Sequence, residues 1–481
     1  MKFWTILLFI IMLPVIQACG YYGFNPWGPV GYGGYDYGYG TTGYYDPYAQ
    51  GGHDMLDVAQ LPQQQAQQVT YNVDEMTAKC DQGDGPSCNN LGVLYAKGQQ
   101  VMLDHLKANE LYLKACQLND GKGCNNLGYS FYEGRGAKQD LKQAADLYSL
   151  GCDLGDGSAC TSLGYLYQEG KGVKRNVKQA NEYYTKGCAL NEGGGCRNIG
   201  VSYDRGRGVT KDYGHAREFY IKGCELNEGG ACRNLGVHYA NGLGGLTRDN
   251  AKANEYYAKG CKLNSGRACN NLGASYGQGR GVQQNYNYAI QLYTKGCTLN
   301  DGSACRNLGV SYDRGLGVYQ DQNRALEYFL KGCSLDEGGS CRNVGIVYNN
   351  QQNFQQANQY FEKGCRLKDG TACNNLGTSH AKGRGYKQST NTAMKYFGQS
   401  CELGDQHGCE NYKVYNEAKQ QAARAAALTK ARKAQARKAR TKTVAKVEEP
   451  VYVEENYDDV IGVNNSVDDT DGFDDYTEAG L

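Results

Sequence analysis

From Cys160 to Cys196, the residues Cys160, Leu163, Gly164 and Tyr167 fall at i, i+3, i+4 and i+7, the spacing of one helical face. Gly170-Lys171-Gly172-Val173 breaks the pattern. A second helical face follows on Ala180, Tyr183, Tyr184 and Gly187, ending near Cys188. Asn191-Glu192-Gly193-Gly194 then reads as a tight turn. The predicted unit is therefore helix A, a Gly-rich loop, helix B and a turn. Gly164 and Ala180 let the two helices approach closely, and Leu and Tyr fill the layer between them. The helix B pairs Tyr183-Tyr184 and Tyr256-Tyr257 read as core and inter-repeat packing.

The unit recurs, and cysteine sets its register. Apart from Cys19, the cysteines form ten pairs, each spaced by eight: Cys80 and Cys88, Cys116 and Cys124, Cys152 and Cys160, Cys188 and Cys196, Cys224 and Cys232, Cys261 and Cys269, Cys297 and Cys305, Cys333 and Cys341, Cys365 and Cys373, Cys401 and Cys409. Successive pairs begin 36 residues apart, except for one step of 37 and one of 32. A fixed period in the thirties marks a solenoid. On a continuous helix two residues eight apart lie about 12 Å apart, whereas a disulfide tolerates Cα separations up to roughly 7 Å. The chain must reverse inside each pair, where Asp156-Gly157 or Glu192-Gly193-Gly194 stands. A bridge closing so short a loop contributes about 2.5 kcal/mol in the chain-entropy model. Zinc is the competing reading, but the pairs lack the short CxxC knuckle and the six histidines follow no register. No metal and no cofactor is expected.

So many ordered cysteines imply an oxidising compartment. The N-terminus points the same way. After Met1 and Lys2, the apolar run from Phe3 to Ile16 is too short to span a membrane. It ends at Ile16-Gln17-Ala18-Cys19, which resembles a bacterial lipobox. That implies cleavage before Cys19, lipidation of its thiol and, with Gly20 next, outer-membrane sorting; ordinary secretory cleavage after Ala18 is the alternative. The expected organisation is a signal peptide over 1–18, a Gly/Tyr-rich flexible tether over 19–60 and the repeats over 61–415. A basic Ala/Lys/Arg helix over 416–446 and an acidic tail over 447–481, read as disordered, complete it. Net charge is +1, so the whole chain makes no case for nucleic acid. The local runs are another matter, because ten bases and no acid lie between Ala418 and Lys446, and twelve acids and no base follow Val447. Such a basic run suits an anionic envelope polymer; neutralisation by the acidic tail is the alternative.

The unit A-C-x-N-L-G-x-x-Y-x-x-G-x-G-V…A-x-x-Y-Y-x-K-G-C-x-L resembles the Sel-like repeat, a TPR relative, and its Cys pairs are similar to those of the Helicobacter cysteine-rich protein family. The resemblance covers roughly residues 72 to 415. It departs at Asn349 to Phe354, where the Gly-x-Gly-Val loop is missing, and at Phe131 and His380, which replace the helix A Tyr. The expected fold is all-α, a right-handed α-solenoid of about nine 36-residue helix-turn-helix repeats with one disulfide per inter-repeat turn.

Two functional readings follow. The resemblance implies a TPR-like inner face formed by helix A, with the two residues after each second Cys turned toward a peptide. Asn stands two after that Cys in nine of ten units, and Arg precedes it in four. The candidate peptide-binding set is Arg197, Asn198, Arg233, Asn234, Arg306, Asn307, Arg342 and Asn343. Asn offers a donor and an acceptor to an extended backbone, and Arg offers a carboxylate fork; the Asn could equally bond a neighbouring repeat. Asp204-Arg205 and Asp313-Arg314 lie further along the same face. The expected partner is a protein or peptide, with a peptidoglycan-related ligand included. The other reading is a β-lactam-binding protein or weak β-lactamase, since relatives carry that label. Ser379-His380-Ala381-Lys382 supplies the only Ser-x-x-Lys, with Ser379 and Lys382 as weak candidates, and the Ser-Asp-Asn and Lys-Thr-Gly elements are missing.

Overall fold

The structure, a computed structural model, describes residues 72–443, with side chains described as far as Ala436. The signal peptide, Cys19, the tether and the acidic tail lie outside the described residues. The chain divides into two compact units, one running through Leu299 and one from Asn300 onward, and each is described by itself.

Among the described residues there are twenty helices and no strand. A short helix, Val73–Asp81, is followed by nine A–B pairs in which every helix has 13 residues, and the last helix is Gln406–Thr443. Six pairs, from Gly85–Lys97 with His105–Gln117 to Gly266–Gln278 with Tyr286–Thr298, belong to the first unit. Three more, beginning at Gly302–Arg314, belong to the second.

Within a pair, helix A carries Gly where helix B carries a buried ring. A Cβ on Gly164 would lie 2.8 Å from the Tyr184 ring and 3.0 Å from the Ala180 carbonyl oxygen, so the predicted close approach is present. Tyr184 and Ala180 are fully buried. Between pairs, Leu163 and Leu166 pack on Ala144, Ala145 and Tyr148 of the preceding helix B, so these two cores are continuous. Burial of the equivalent Tyr112 pushes its hydroxyl pKa up to about 12. The first Tyr of each helix B pair takes another role, stacking on the helix A Tyr: Tyr167 on Tyr183 at 5.5 Å, Tyr239 on Tyr256 at 5.3 Å and Tyr312 on Tyr328 at 5.5 Å.

The turn between repeats is not made by the glycines that follow its acidic residue. Helix A already begins at Gly193, with Glu192 as N-cap. The reversal occurs at Asn191, whose φ of 59° is left-handed and whose position lets the Glu192 N–H return to the Gly187 carbonyl. Gly193 is needed for another reason: a Cβ there would meet the Glu228 Cβ of the next repeat at 2.8 Å. The reversal brings the paired cysteines together, with Cα separations of 4.4–4.7 Å in the nine bridges whose geometry is described. Cys297 and Cys305 are disulfide-bonded too.

The irregular steps are absorbed in loops. The 32-residue step shortens the A–B loop from seven residues, as in 98–104, to the three of 351–353, while both helices keep 13 residues. Within each unit, Gly-x-Gly loops sit on the preceding helix B. Asn181 Nδ2 donates to the Arg207 carbonyl at 2.7 Å, and Asn109, Asn254 and Asn358 make the same bond to Arg135, Arg280 and Arg384. The helix B that precedes the shortened loop has Leu326 at that position, as other helices B have Ala145 and Arg217 there.

Candidate functional site

The helix A residues after each second Cys form one half-buried polar row per unit, and the structure laces them from repeat to repeat. Asn126 Nδ2 donates to Asn89 Oδ1 at 2.8 Å, and Asn411 Nδ2 to Asn374 Oδ1 at 2.9 Å, each reaching the preceding repeat. Arg197 Nη1 lies 3.3 Å from Glu228 Oε1, Arg306 Nη1 3.8 Å from Glu337 Oε1 and Arg342 Nη1 3.6 Å from Asp369 Oδ2. These three acids are the N-caps of the following helix A. Arg233 has Ser265 at that place instead, and its Nη1 donates to Asn234 Oδ1 at 3.0 Å. Asn198, Asn307 and Asn343 are engaged as well, and Asn343 is buried.

The candidate arginines thus do not stand free toward solvent. Each is tied to a carboxylate or amide of its own chain, and for Arg197, Arg306 and Arg342 the reason is electrostatic: an N-cap acid sits one repeat ahead, within reach of the fork. Exposure of the side chain falls from 34% at Arg197 to 25% at Arg306 and 14% at Arg342. A guanidinium has five N–H donors, so one carboxylate contact leaves the half-exposed Arg197 with capacity for a second acceptor. Further along the face, Asp204 Oδ1 lies 3.0 Å from Nε2 of the buried His238 in the next repeat. Burial lifts the Asp313 carboxyl above its usual range, with Arg314 pulling the other way.

Ser379 is buried, Lys382 is exposed, and no hydrogen bond joins them. Ser130, Ser202, Ser275 and Ser311 occupy the same place in other A helices and are buried like it, so Ser379 sits at a packing position. Its neighbour His380 stacks on Tyr386 at 4.2 Å and Tyr396 at 5.5 Å, filling the place of the usual Tyr. Burial holds the His380 imidazole below its usual range, against the opposing pull of Glu362. Nothing in this arrangement activates a hydroxyl as a nucleophile. Among the described residues, no group of three or more His, Cys, Asp or Glu side chains could hold a metal ion, and no helix is long and apolar enough to cross a membrane.

The Sel1 repeat model matches nine successive segments, 85–120, 121–156, 157–192, 194–228, 230–265, 266–301, 302–337, 340–369 and 370–405, about two thirds of the chain. The chain belongs to the Sel1 repeat family. Among solved structures it is similar to the Helicobacter pylori cysteine rich protein B, at 38% identity over 28% of this chain and 95% of that one, with a TM-score of 0.24. It is also similar to a Sel1 repeat protein from Oxalobacter formigenes, at 30% identity over 45% of this chain and 86% of that one, with a TM-score of 0.42. A protective antigen of uropathogenic Escherichia coli with an SLR fold covers 80% of this chain and is itself covered entirely, at 21% identity and a TM-score of 0.40. No curated protein matches. Sel1 repeats are a scaffold type that mediates contacts between proteins. The disulfides belong to a non-reducing, extracytoplasmic setting.

Proposed function

We propose that this Sel1 repeat chain is an exported cell-envelope scaffold that holds an extended segment of a partner protein along its A helices. The lipobox-like Ile16-Gln17-Ala18-Cys19 supports anchoring in the outer membrane through Cys19. The observation that carries the binding reading is the periodic row of Asn and Arg on successive A helices, in which the half-exposed Arg197 keeps N–H donors beyond its contact with Glu228. An extended peptide presents carbonyls along its length and can meet such a row at several points at once. The reading needs no nucleophile.

The test is selection from a displayed library of unstructured peptides, followed by affinity measurement on purified protein and on the Arg197→Ala, Arg233→Ala double variant. The expected result is a selected peptide whose Kd weakens at least tenfold in the variant, while the thermal midpoint moves little, because a half-exposed ion pair and a single side-chain hydrogen bond contribute little to stability. A selected peptide that ignores this row, or nitrocefin turnover that disappears in Ser379→Ala, would overturn the proposal.

A further inference from the structure

The helix Gln406–Thr443 continues far beyond the part that packs on Thr390–Glu402. From Glu417 to Ala436 every side chain is exposed, including Leu428. At 3.6 residues per turn, Arg424, Lys430, Arg432 and Lys433 point to widely separated sides of the rod, so no apolar stripe is available for a packed neighbour. None of these four bases has an acidic partner among the described residues, although exposed bases elsewhere, such as Lys114 with Asp81 and Lys186 with Asp153, do. Lys419 reaches only the neutral Asn391, at 3.2 Å. In sequence the run goes on through Arg437, Lys438, Arg440, Lys442 and Lys446, again with no acid. Like charges one turn apart, as at 433 and 437 or 438 and 442, oppose the helix that carries them. A rod of one sign therefore calls for a counter-charge.

The chain carries a matching one. Residues 447–481 hold twelve acids and no base, against ten bases between Ala418 and Lys446. The basic stretch of helix is about 39 Å long at 1.5 Å per residue, and 35 residues of extended chain reach roughly 115 Å. The acids can thus return along the whole rod, and because they are tethered to its end they act at a high effective concentration.

We propose that the acidic segment 447–481 lies back along the basic helix of its own chain as a displaceable counter-charge, so that an outside polyanion reaches the rod only by competing it away. The observation is independent of the ligand held by the repeats. The test compares the full chain with one truncated after Lys446, using long-chain inorganic polyphosphate as the probe. A second comparison keeps the chain length and carries Glu454→Gln, Glu455→Gln, Asp458→Asn and Asp459→Asn. Polyphosphate is expected to bind the truncated chain at least tenfold more tightly than the full chain, with a smaller gain in the four-site variant. The peptide 447–481 added in trans should reverse the gain, and both effects should fade at high salt. Zero-length carbodiimide linkage of the full chain should join Lys430 or Lys433 to the acidic segment within single molecules. Equal polyphosphate affinity in the full and truncated chains would overturn the proposal, as would linkage found only between molecules.

Discussion

Gly172→Ala should destabilise the repeats around it by about 3 kcal/mol, whereas Gly155→Ala, at a residue with an equally left-handed backbone, should cost only about 1–2 kcal/mol. Both glycines have positive φ, 69° and 87°. A Cβ at Gly155 meets nothing within 4 Å, but one at Gly172 would clash with the Leu141 carbonyl group at the start of the preceding helix B. The left-handed cost is shared by the two variants, and the difference isolates contact between a Gly-x-Gly loop and its neighbouring repeat. Chemical denaturation of both variants measures that difference. Equal losses would mean that the loops do not couple repeats.

Removing one bridge in a Cys188→Ala, Cys196→Ala variant should cost about 2.5 kcal/mol in the chain-entropy model. In a repeat array each unit contacts its neighbours, so the loss should be local. Amide exchange should accelerate roughly 60-fold, at 1.4 kcal/mol per factor of ten, in helices Val177–Ala189 and Gly193–Arg205. The distant helix His105–Gln117 should keep its protection. Acceleration spread evenly over the first unit would contradict the picture of serial bridges, each holding one joint.

Much of this architecture is legible in the chain because its determinants are local and repeated. Cys160, Leu163, Gly164 and Tyr167 mark one helical face, and the eight-residue cysteine spacing forces a reversal wherever it occurs. Residues whose reason lies one repeat away are harder to read. Gly193 looks like a turn glycine, yet it opens a helix and is kept small by Glu228. Arg197 looks like a ligand-facing fork, yet it meets that same Glu228. A signal for this pairing does exist: Arg197, Arg306 and Arg342 all precede an acidic N-cap one repeat on, while Arg233 precedes Ser265. The loop clip is equally recoverable, since Asn109, Asn181, Asn254 and Asn358 each stand 26 residues before the Arg whose carbonyl they hold. Ser379 is explained by comparison along the chain: as a Ser-x-x-Lys match it suggests chemistry, but aligned with Ser130, Ser202, Ser275 and Ser311 it is one more packing position.

A mass map of non-reduced proteolytic peptides, from protein purified out of its native envelope, tests most directly whether this is an exported, disulfide-stapled scaffold. The account predicts that every repeat cysteine is linked to the one eight residues away and that the chain begins at a lipid-modified Cys19. Free thiols in the repeats together with an intact N-terminus at Met1 would contradict it, and the oxidising compartment and the envelope scaffold would both fall.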